Sequence, residues 1–232
     1  MSVVDLGRKS SDDILLLADV GIAYRYALKN LTGFAVTGDN GLFDRFNTRG
    51  ELDLGRIDSG TGLSNEYLAD RAQMLAWKIL DYSVDGSRAL RGTSVETYKY
   101  TDKTLKDASG NDLTFTAVGR RPELVGNPAF IIFGSDASET LTGGNLAVGD
   151  SLYGDGGGDV LLGQEGDDYL EGGAGDDTLT GGGGDDDLAG GSGFDTYTYA
   201  EGDGFDVITD GGGSGRILYK GRELSGGSKV AE

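Results

Sequence analysis

From Gly154 to Thr198 the chain divides into nines without a gap: GDGGGDVLL, GQEGDDYLE, GGAGDDTLT, GGGGDDDLA, GGSGFDTYT. The first and fourth positions are glycine in all five units. The sixth is aspartate in all five: Asp159, Asp168, Asp177, Asp186 and Asp195. The eighth is Leu161, Leu170, Leu179, Leu188 and Tyr197. If an eleven-residue step is allowed at each end, the frame reaches Asp150 with Leu152 and Glu139 with Leu141 upstream, and Asp206 with Ile208 downstream. A strict period of this kind is the mark of a solenoid, in which each unit covers the apolar face of the next. A flexible glycine–aspartate linker would share the composition, but it gives no reason for one apolar residue to follow each aspartate by two places, nine apart.

One unit cannot hold itself together. The residues around the eighth position are expected to form a short strand with the leucine inward, and the six before it a tight turn. Glycine supplies the positive φ angles of such a turn and lets neighbouring backbones approach. Aspartate at position 5 (Asp167, Asp176, Asp185) is expected to tolerate the left-handed region there. Two units make a coil of 18 residues, and stacked coils give two parallel sheets over a thin leucine core. A buried leucine contributes roughly 1.5–3 kcal/mol, whereas ordering nine residues costs about 9–18 kcal/mol of backbone entropy before hydrogen bonds offset part of it.

Charge sharpens the problem. Residues 134–232 carry 4 basic and 21 acidic side chains, against 16 and 18 in residues 1–133. Between Gly134 and Gly213 there are 19 Asp and Glu and no Lys or Arg. A repeat that folds without metal leaves those carboxylates unneutralised. Stacking brings each turn over the turn two units on, so that position 6 carboxylates face each other across gaps lined by glycine carbonyls. Six or so hard oxygens in a flexible cage suit calcium, while magnesium demands a tighter octahedron. The chain has no histidine and no cysteine, which disfavours zinc and copper. The expected ligands are Asp150, Asp159, Asp168, Asp177, Asp186, Asp195 and Asp206. The backbone carbonyls of Gly154, Gly157, Gly163, Gly166, Gly172, Gly173, Gly175, Gly181, Gly182, Gly184, Gly190, Gly191 and Gly193 complete the set. One series shares ions among Asp159, Asp177 and Asp195, the other among Asp150, Asp168 and Asp186, with four or five calcium ions in all.

The same composition excludes several function classes. Without histidine there is no Ser-His-Asp triad, Cys-His pair or HExxH site. A formal charge of −19 argues against nucleic acid. No apolar run is long enough to span a membrane, and the opening MSVVDLGRKSSDD lacks a signal-peptide apolar region.

The shift in charge places a domain boundary near Phe133. Residues 1–133 read as a mixed helical and hairpin region. Ser10 caps a helix that begins with Asp12 and Asp13 and continues along Ile14, Leu17, Gly21, Tyr24, Leu28 and Leu31 to a stop at Gly33. A second helix starts after Ser64, with Leu68, Ala72, Leu75, Ala76 and Ile79 as its apolar stripe. VETYKYTDKTLK and DLTFTAV flank DASGN as a hairpin. Tyr24, Tyr26 and Trp77 could line a ligand groove, but packing on helix faces is the simpler reading. No GxSxG elbow or GxxxxGK[ST] loop occurs. No catalytic residue is assigned.

GGAGDDTLT and its neighbours resemble GGxGxDxUx, the nonapeptide of the RTX, or haemolysin-type, calcium-binding proteins. Asp155 and Gln164 stand where that pattern has a second glycine, and Glu139 stands for aspartate. The resemblance implies a calcium-bound parallel β-roll, an extracellular location, export unfolded by a type I secretion apparatus in a Gram-negative bacterium, and folding outside the cell. IIFGSDASETLTGG resembles the entry turn of such a roll, and GDGFDVITDGGGSGRILYKGRELSGG the capping hairpin that follows it in haemolysin-like toxins and RTX lipases. YRYALKNLTGFAVTGDNGLFD and LSNEYLADRAQMLAWKIL resemble the region between a class 3 lipase-type catalytic domain and its roll. The fold class is therefore an α+β N-terminal region, an all-β roll over residues 134–213, and a capping segment over 214–232. The chain ends at GGSKVAE without the apolar tail of a type I signal, so it is expected to be a piece of a larger toxin or lipase, or a short relative lacking catalytic part and signal. A membrane or host surface is then a possible partner through the parent. Two other readings stand beside the calcium module. One is a lipase-like or self-processing enzyme using carboxylates such as Asp70 or Asp81, since glycosidase-like chemistry needs only two acids. The other is an adhesin spacer.

Overall fold

The structure is a computed structural model that describes residues 1–6, 9–30, 32, 34–38, 40–48, 50–54, 62–81, 97–118, 128–212 and 214–224. It contains two compact units. One comprises Met1–Tyr100 and Thr114–Pro128, the other Thr101–Leu113 and Ala129–Glu232.

In the first unit, strand β1 (Ser2–Asp5) pairs antiparallel with β2 (Phe34–Thr37). Between them, the helix expected as one piece is two: α1 (Ser11–Val20) and α2 (Ile22–Lys29). Gly21 breaks it, with an extended backbone at φ −148°, ψ 123°. A helical interior glycine costs about 1 kcal/mol relative to alanine, so this is the weak point of the run. A Cβ there would stand 2.9 Å from the Tyr24 ring. Ser10 Oγ accepts the Asp13 N–H at 3.2 Å, the predicted cap. Ile14, Ala18, Ala23, Ala27 and Leu28 are buried. Gly33, the expected stop, lies outside the described residues. Helix α3 (Asn65–Asp81) starts where Ser64 Oγ accepts the Tyr67 N–H, and buries Leu68, Ala72, Leu75 and Ala76. The Trp77 and Ile79 side chains lie outside the described residues. No described helix is long and apolar enough to cross a membrane.

Strands β3 (Thr97–Lys106) and β4 (Asp112–Val118) form the predicted hairpin. Asp107 Oδ1 accepts the N–H groups of Ser109 and Asn111 at 2.8 and 2.9 Å, and Gly110 takes φ +84°. This is side-chain chemistry typical of a tight turn.

The second unit is a parallel solenoid. Its strands follow in chain order as β5 (Ala129–Phe133), β6 (Thr140–Thr142), β7 (Ser151–Tyr153), β8 (Val160–Glu165), β9 (Tyr169–Ala174), β10 (Thr178–Gly183), β11 (Asp187–Ser192), β12 (Asp195–Tyr199), β13 (Val207–Thr209) and β14 (Gly215–Tyr219). They alternate between two sheets: β5, β7, β9, β11 and β13 in one, β6, β8, β10, β12 and β14 in the other. Strand β15 (Arg222–Glu223) turns back antiparallel on β14. The hairpin continues the first sheet beyond β5 in the order β5-β3-β4.

Register follows the repeat. Leu161 pairs with Leu179 and Leu179 with Tyr197; Leu152 pairs with Leu170 and Leu170 with Leu188, a step of 18 residues. Ile132 with Leu152, Leu141 with Leu161, Leu188 with Ile208 and Tyr197 with Ile217 are steps of 20, the longer turns at both ends. The core is one file of inward residues: Ile132, Leu141, Leu152, Leu161, Leu170, Leu179, Leu188 and Tyr197. The strands are longer than the sequence suggests. In β8 to β11 they run from position 7 through position 3 of the next unit, because the glycines pair too: Gly182 with Gln164 and Gly191 with Gly173.

Positive φ angles fall at positions 2 and 4 rather than 5. Position 4 holds Gly157, Gly166, Gly175, Gly184 and Gly193. Position 2 holds Gly173, Gly182 and Gly191, and also Asp155 (φ 71°) and Gln164 (φ 91°). Asp167, Asp176 and Asp185 are not among the positive-φ residues. The two departures from the glycine pattern therefore carry the backbone strain themselves.

Candidate metal centre

Asp150, Asp159, Asp168, Asp177, Asp186 and Asp195 are all at most 3 % exposed. Their two oxygens do different things. Oδ1 of each accepts a backbone N–H one coil back. Asp177 Oδ1 takes that of Asp159 at 2.7 Å, and Asp195 Oδ1 that of Asp177 at 3.0 Å. Asp168 Oδ1 takes that of Asp150, Asp186 Oδ1 that of Asp168, and Asp206 Oδ1 that of Asp186. Two columns result: Glu139–Asp159–Asp177–Asp195, and Phe130–Asp150–Asp168–Asp186–Asp206. They group the aspartates as the two expected series do.

Oδ2 is left over. In Asp159, Asp168, Asp177, Asp186 and Asp195 it is buried with no hydrogen-bond partner among the described residues. Burying such an oxygen unpaired is costly, and more so for a charge. Each Oδ2 faces the position 1 glycine of its own unit. A Cβ on Gly154 would stand 2.6 Å from Asp159 Oδ2, and those on Gly163, Gly172 and Gly181 would overlap the Oδ2 of Asp168, Asp177 and Asp186. The same Cβ on Gly163 would be 2.6 Å from the Gly181 carbonyl oxygen, and that on Gly172 2.7 Å from the Gly190 oxygen. Glycine at position 1 thus lets a carboxylate oxygen close on its Cα, together with the next coil's carbonyl at Gly154, Gly163 and Gly172. The carbonyls of Gly157, Gly166, Gly175 and Gly184 crowd the following coil's glycine at the turn instead, as do those of Asp155, Gln164 and Gly173.

Burial raises every one of these carboxyls above the usual carboxylate range. Asp168 is pushed up to about 8, Asp177 to about 7, and Asp159 and Asp186 to about 6. Asp150, Asp195 and Asp206 move in the same direction. Burial is the largest cause throughout. Backbone N–H bonds oppose it, and neighbouring carboxylates add to it for all of these except Asp150.

No three carboxylates converge among the described residues. A cation beside these oxygens would have to complete its shell from backbone carbonyls. A donor set made only of oxygens fits a hard, flexible ion such as calcium. Asp206, half-buried, keeps the hydrogen bond of its column but lies at the end of it. Glu139, in the Asp position of the first coil, is differently employed: Oε2 accepts from Ser135 N–H at 2.7 Å, and Oε1 lies 3.5 Å from Lys103 Nζ.

Position 5 has a role that sequence reasoning missed. Asp167 Oδ1 accepts the Asp185 N–H at 3.0 Å, Asp176 Oδ1 that of Phe194 at 2.8 Å, and Asp185 Oδ1 that of Phe205 at 2.9 Å. These bonds run in the opposite sense to those of position 6. Each coil is thus clamped to the next by an inner carboxylate reaching back and an outer one reaching forward. The recurrence of Asp at position 5 was the available signal.

No curated protein and no solved structure matches the chain. The family model of the RTX calcium-binding nonapeptide repeat matches four copies, over residues 149–170 and 162–197. With its glycine gaps, buried aspartate columns and coils of 18 residues, the segment from Gly149 to Tyr197 is an array of RTX calcium-binding nonapeptide repeats.

Proposed function

We propose that the chain is a calcium-switched folding module, held by Asp150, Asp159, Asp168, Asp177, Asp186, Asp195 and Asp206 with glycine carbonyls of the turns, and taking four or five ions. The observation that carries this is the row of five buried Oδ2 atoms without a partner, each close against the position 1 glycine of its unit, with a carbonyl of the next coil beside it at Gly154, Gly163 and Gly172. Bound calcium supplies there the positive charge that residues 134–213 lack. At a Kd near 10⁻⁴ M, typical of extracellular modules, millimolar calcium adds about 1.4 kcal/mol per site by mass action. Four or five sites then contribute roughly 6–7 kcal/mol, comparable with the total stability of a small domain.

The repeat supports a biological setting as well. Calcium is scarce in cytosol and plentiful outside, so a chain of this kind stays unfolded during export and folds on arrival. Repeats of this family support an extracellular, type I-secreted protein, with this chain as the roll of a toxin or lipase and no catalysis of its own. Residues 134–213, with β5 (Ala129–Phe133) as the first strand of their sheet, are the calcium-dependent part, 214–232 its cap, and the rest of 1–133 the region that joins it to the remainder of the protein.

Far-ultraviolet circular dichroism of the full chain tests the reading. Strand content should appear in calcium and be lost in EGTA, and magnesium at equal concentration should not restore it. A spectrum identical in EGTA and calcium would remove the basis for the proposal.

A further inference from the structure

The C-terminal end of the Asp159–Asp177–Asp195 column does not simply stop. One coil after Asp195 the paired residue is Gly215, which has no carboxylate to offer. The Asp195 N–H goes instead to the Ser214 carbonyl at 3.3 Å. Asp195 Oδ2 is still buried and unpartnered, and so is the hydroxyl of Tyr197, which is 2 % exposed. A Cβ on Gly190 would overlap both of these oxygens. At the equivalent place in the earlier coil, beside Gly172, the atoms are Asp177 Oδ2 and the Gly190 carbonyl. Nearest to Gly190, beside the carboxylate, is thus a tyrosine hydroxyl where Gly172 has a carbonyl.

A third oxygen arrives from the last coil, at the position that is glycine in the five strict units. Asp210 follows β13, in no position 6 frame, yet a Cβ on Gly215 would stand 2.5 Å from Asp210 Oδ2 and 2.9 Å from the Asp195 carbonyl oxygen. The edge of the Tyr197 ring lies 3.5 Å from the same Cβ.

We propose that Asp210, Asp195 Oδ2 and the Tyr197 hydroxyl form a further divalent-cation site, for calcium by the hardness of its oxygens, that ends this column and ties β14 to the roll. The proposal rests on the calcium reading of the repeats and adds to it a site that the nonapeptide pattern does not contain. Its neutral phenol and its carboxylate from a separate turn distinguish it from the glycine-lined gaps.

Isothermal titration calorimetry of the full chain with calcium tests it on three variants. Asp210→Asn should bind one ion fewer than the parent chain, with strand content unchanged at saturating calcium. Tyr197→Phe keeps the ring in the core and should weaken that last ion. Asp177→Asn, in the middle of the column, reports on the repeats themselves. If Asp177→Asn weakens binding while Asp210→Asn keeps the parent stoichiometry and midpoint, this site is overturned and the repeat sites stand. If the parent chain binds no calcium, both fall. Should Asp210→Asn fail to fold, terbium decides through Tyr197→Phe. A phenol next to the ion sensitises terbium emission, so the variant should lose part of the parent's signal; undiminished emission overturns the site.

Discussion

The two oxygens of a position 6 carboxylate make separate demands, and substitution can separate them. Asp177→Asn keeps an oxygen that can accept the Asp159 N–H, but removes the charge that a hard cation needs. It should raise the calcium midpoint of folding and lower its Hill slope, and do so clearly more than Asp206→Asn. Asp177 has column neighbours on both sides, and Asp206 only Asp186. Calcium titrations of the two variants followed by circular dichroism check the order; equal effects would mean that position in the column is irrelevant. Outside the column, Asp176→Asn should change little, since an amide oxygen still accepts the Phe194 N–H. Asp176→Ala should destabilise by about 1 kcal/mol, the net worth of one hydrogen bond. If Asp176→Asn proves as damaging as Asp177→Asn, position 5 is a ligand and the register of the site is wrong. The aspartates themselves could be read from the chain, because an invariant residue every nine places stands out. The division between Oδ1 and Oδ2 could not, because it depends on which oxygen the stacked backbone meets. Asp210 was missed for another reason: it falls at position 1, which is glycine in all five strict units, so no ligand was expected there.

At the scale of a coil, the raised carboxyls set a pH dependence. Their folded values lie above the ordinary carboxylate value, so without metal the folded roll binds more protons than the unfolded chain. Stability of the metal-free roll therefore falls as pH rises from about 4 to about 8. Calcium-depleted protein should gain strand content on acidification through this window. In calcium the trend is the reverse, because protons compete for the same oxygens and the calcium midpoint should rise as pH falls. Midpoints that do not move with pH would show that these carboxylates are not the ones neutralised. A second prediction concerns the gap. Gly172→Ala places a methyl against Asp177 Oδ2 and the Gly190 carbonyl, so it should abolish or strongly weaken calcium-induced folding. Gly110→Ala, in the hairpin turn with nothing within 4 Å of a Cβ, should cost only the strain of its φ of +84° and leave the calcium midpoint unchanged. Both sheets and the leucine file were legible from period and polarity. The extension of strands into the glycines was not, because glycine has low strand propensity and only the partner coil makes it pair. The break at Gly21 was missed for a similar reason: the apolar spacing continues across it on both sides.

For the molecule as a whole, the asymmetry of charge separates what needs calcium from what does not. The helices α1, α2 and α3 bury their own apolar faces in a unit that is nearly charge-balanced, so they should persist in EGTA. Limited proteolysis in EGTA should cut within residues 134–213 and leave a helical N-terminal fragment; uniform degradation would show that this part depends on the roll. The measurement that reaches the central claim most directly is amide hydrogen exchange of the full chain, resolved by segment, in EGTA and in millimolar calcium. The N–H groups of Asp150, Asp159, Asp168, Asp177 and Asp186 donate to the aspartate columns. They should be protected in calcium and exchange freely without it, while those of α3 stay protected in both. Equal protection of the two columns in EGTA and in calcium would contradict the account, for the carboxylates would then be held by the protein alone.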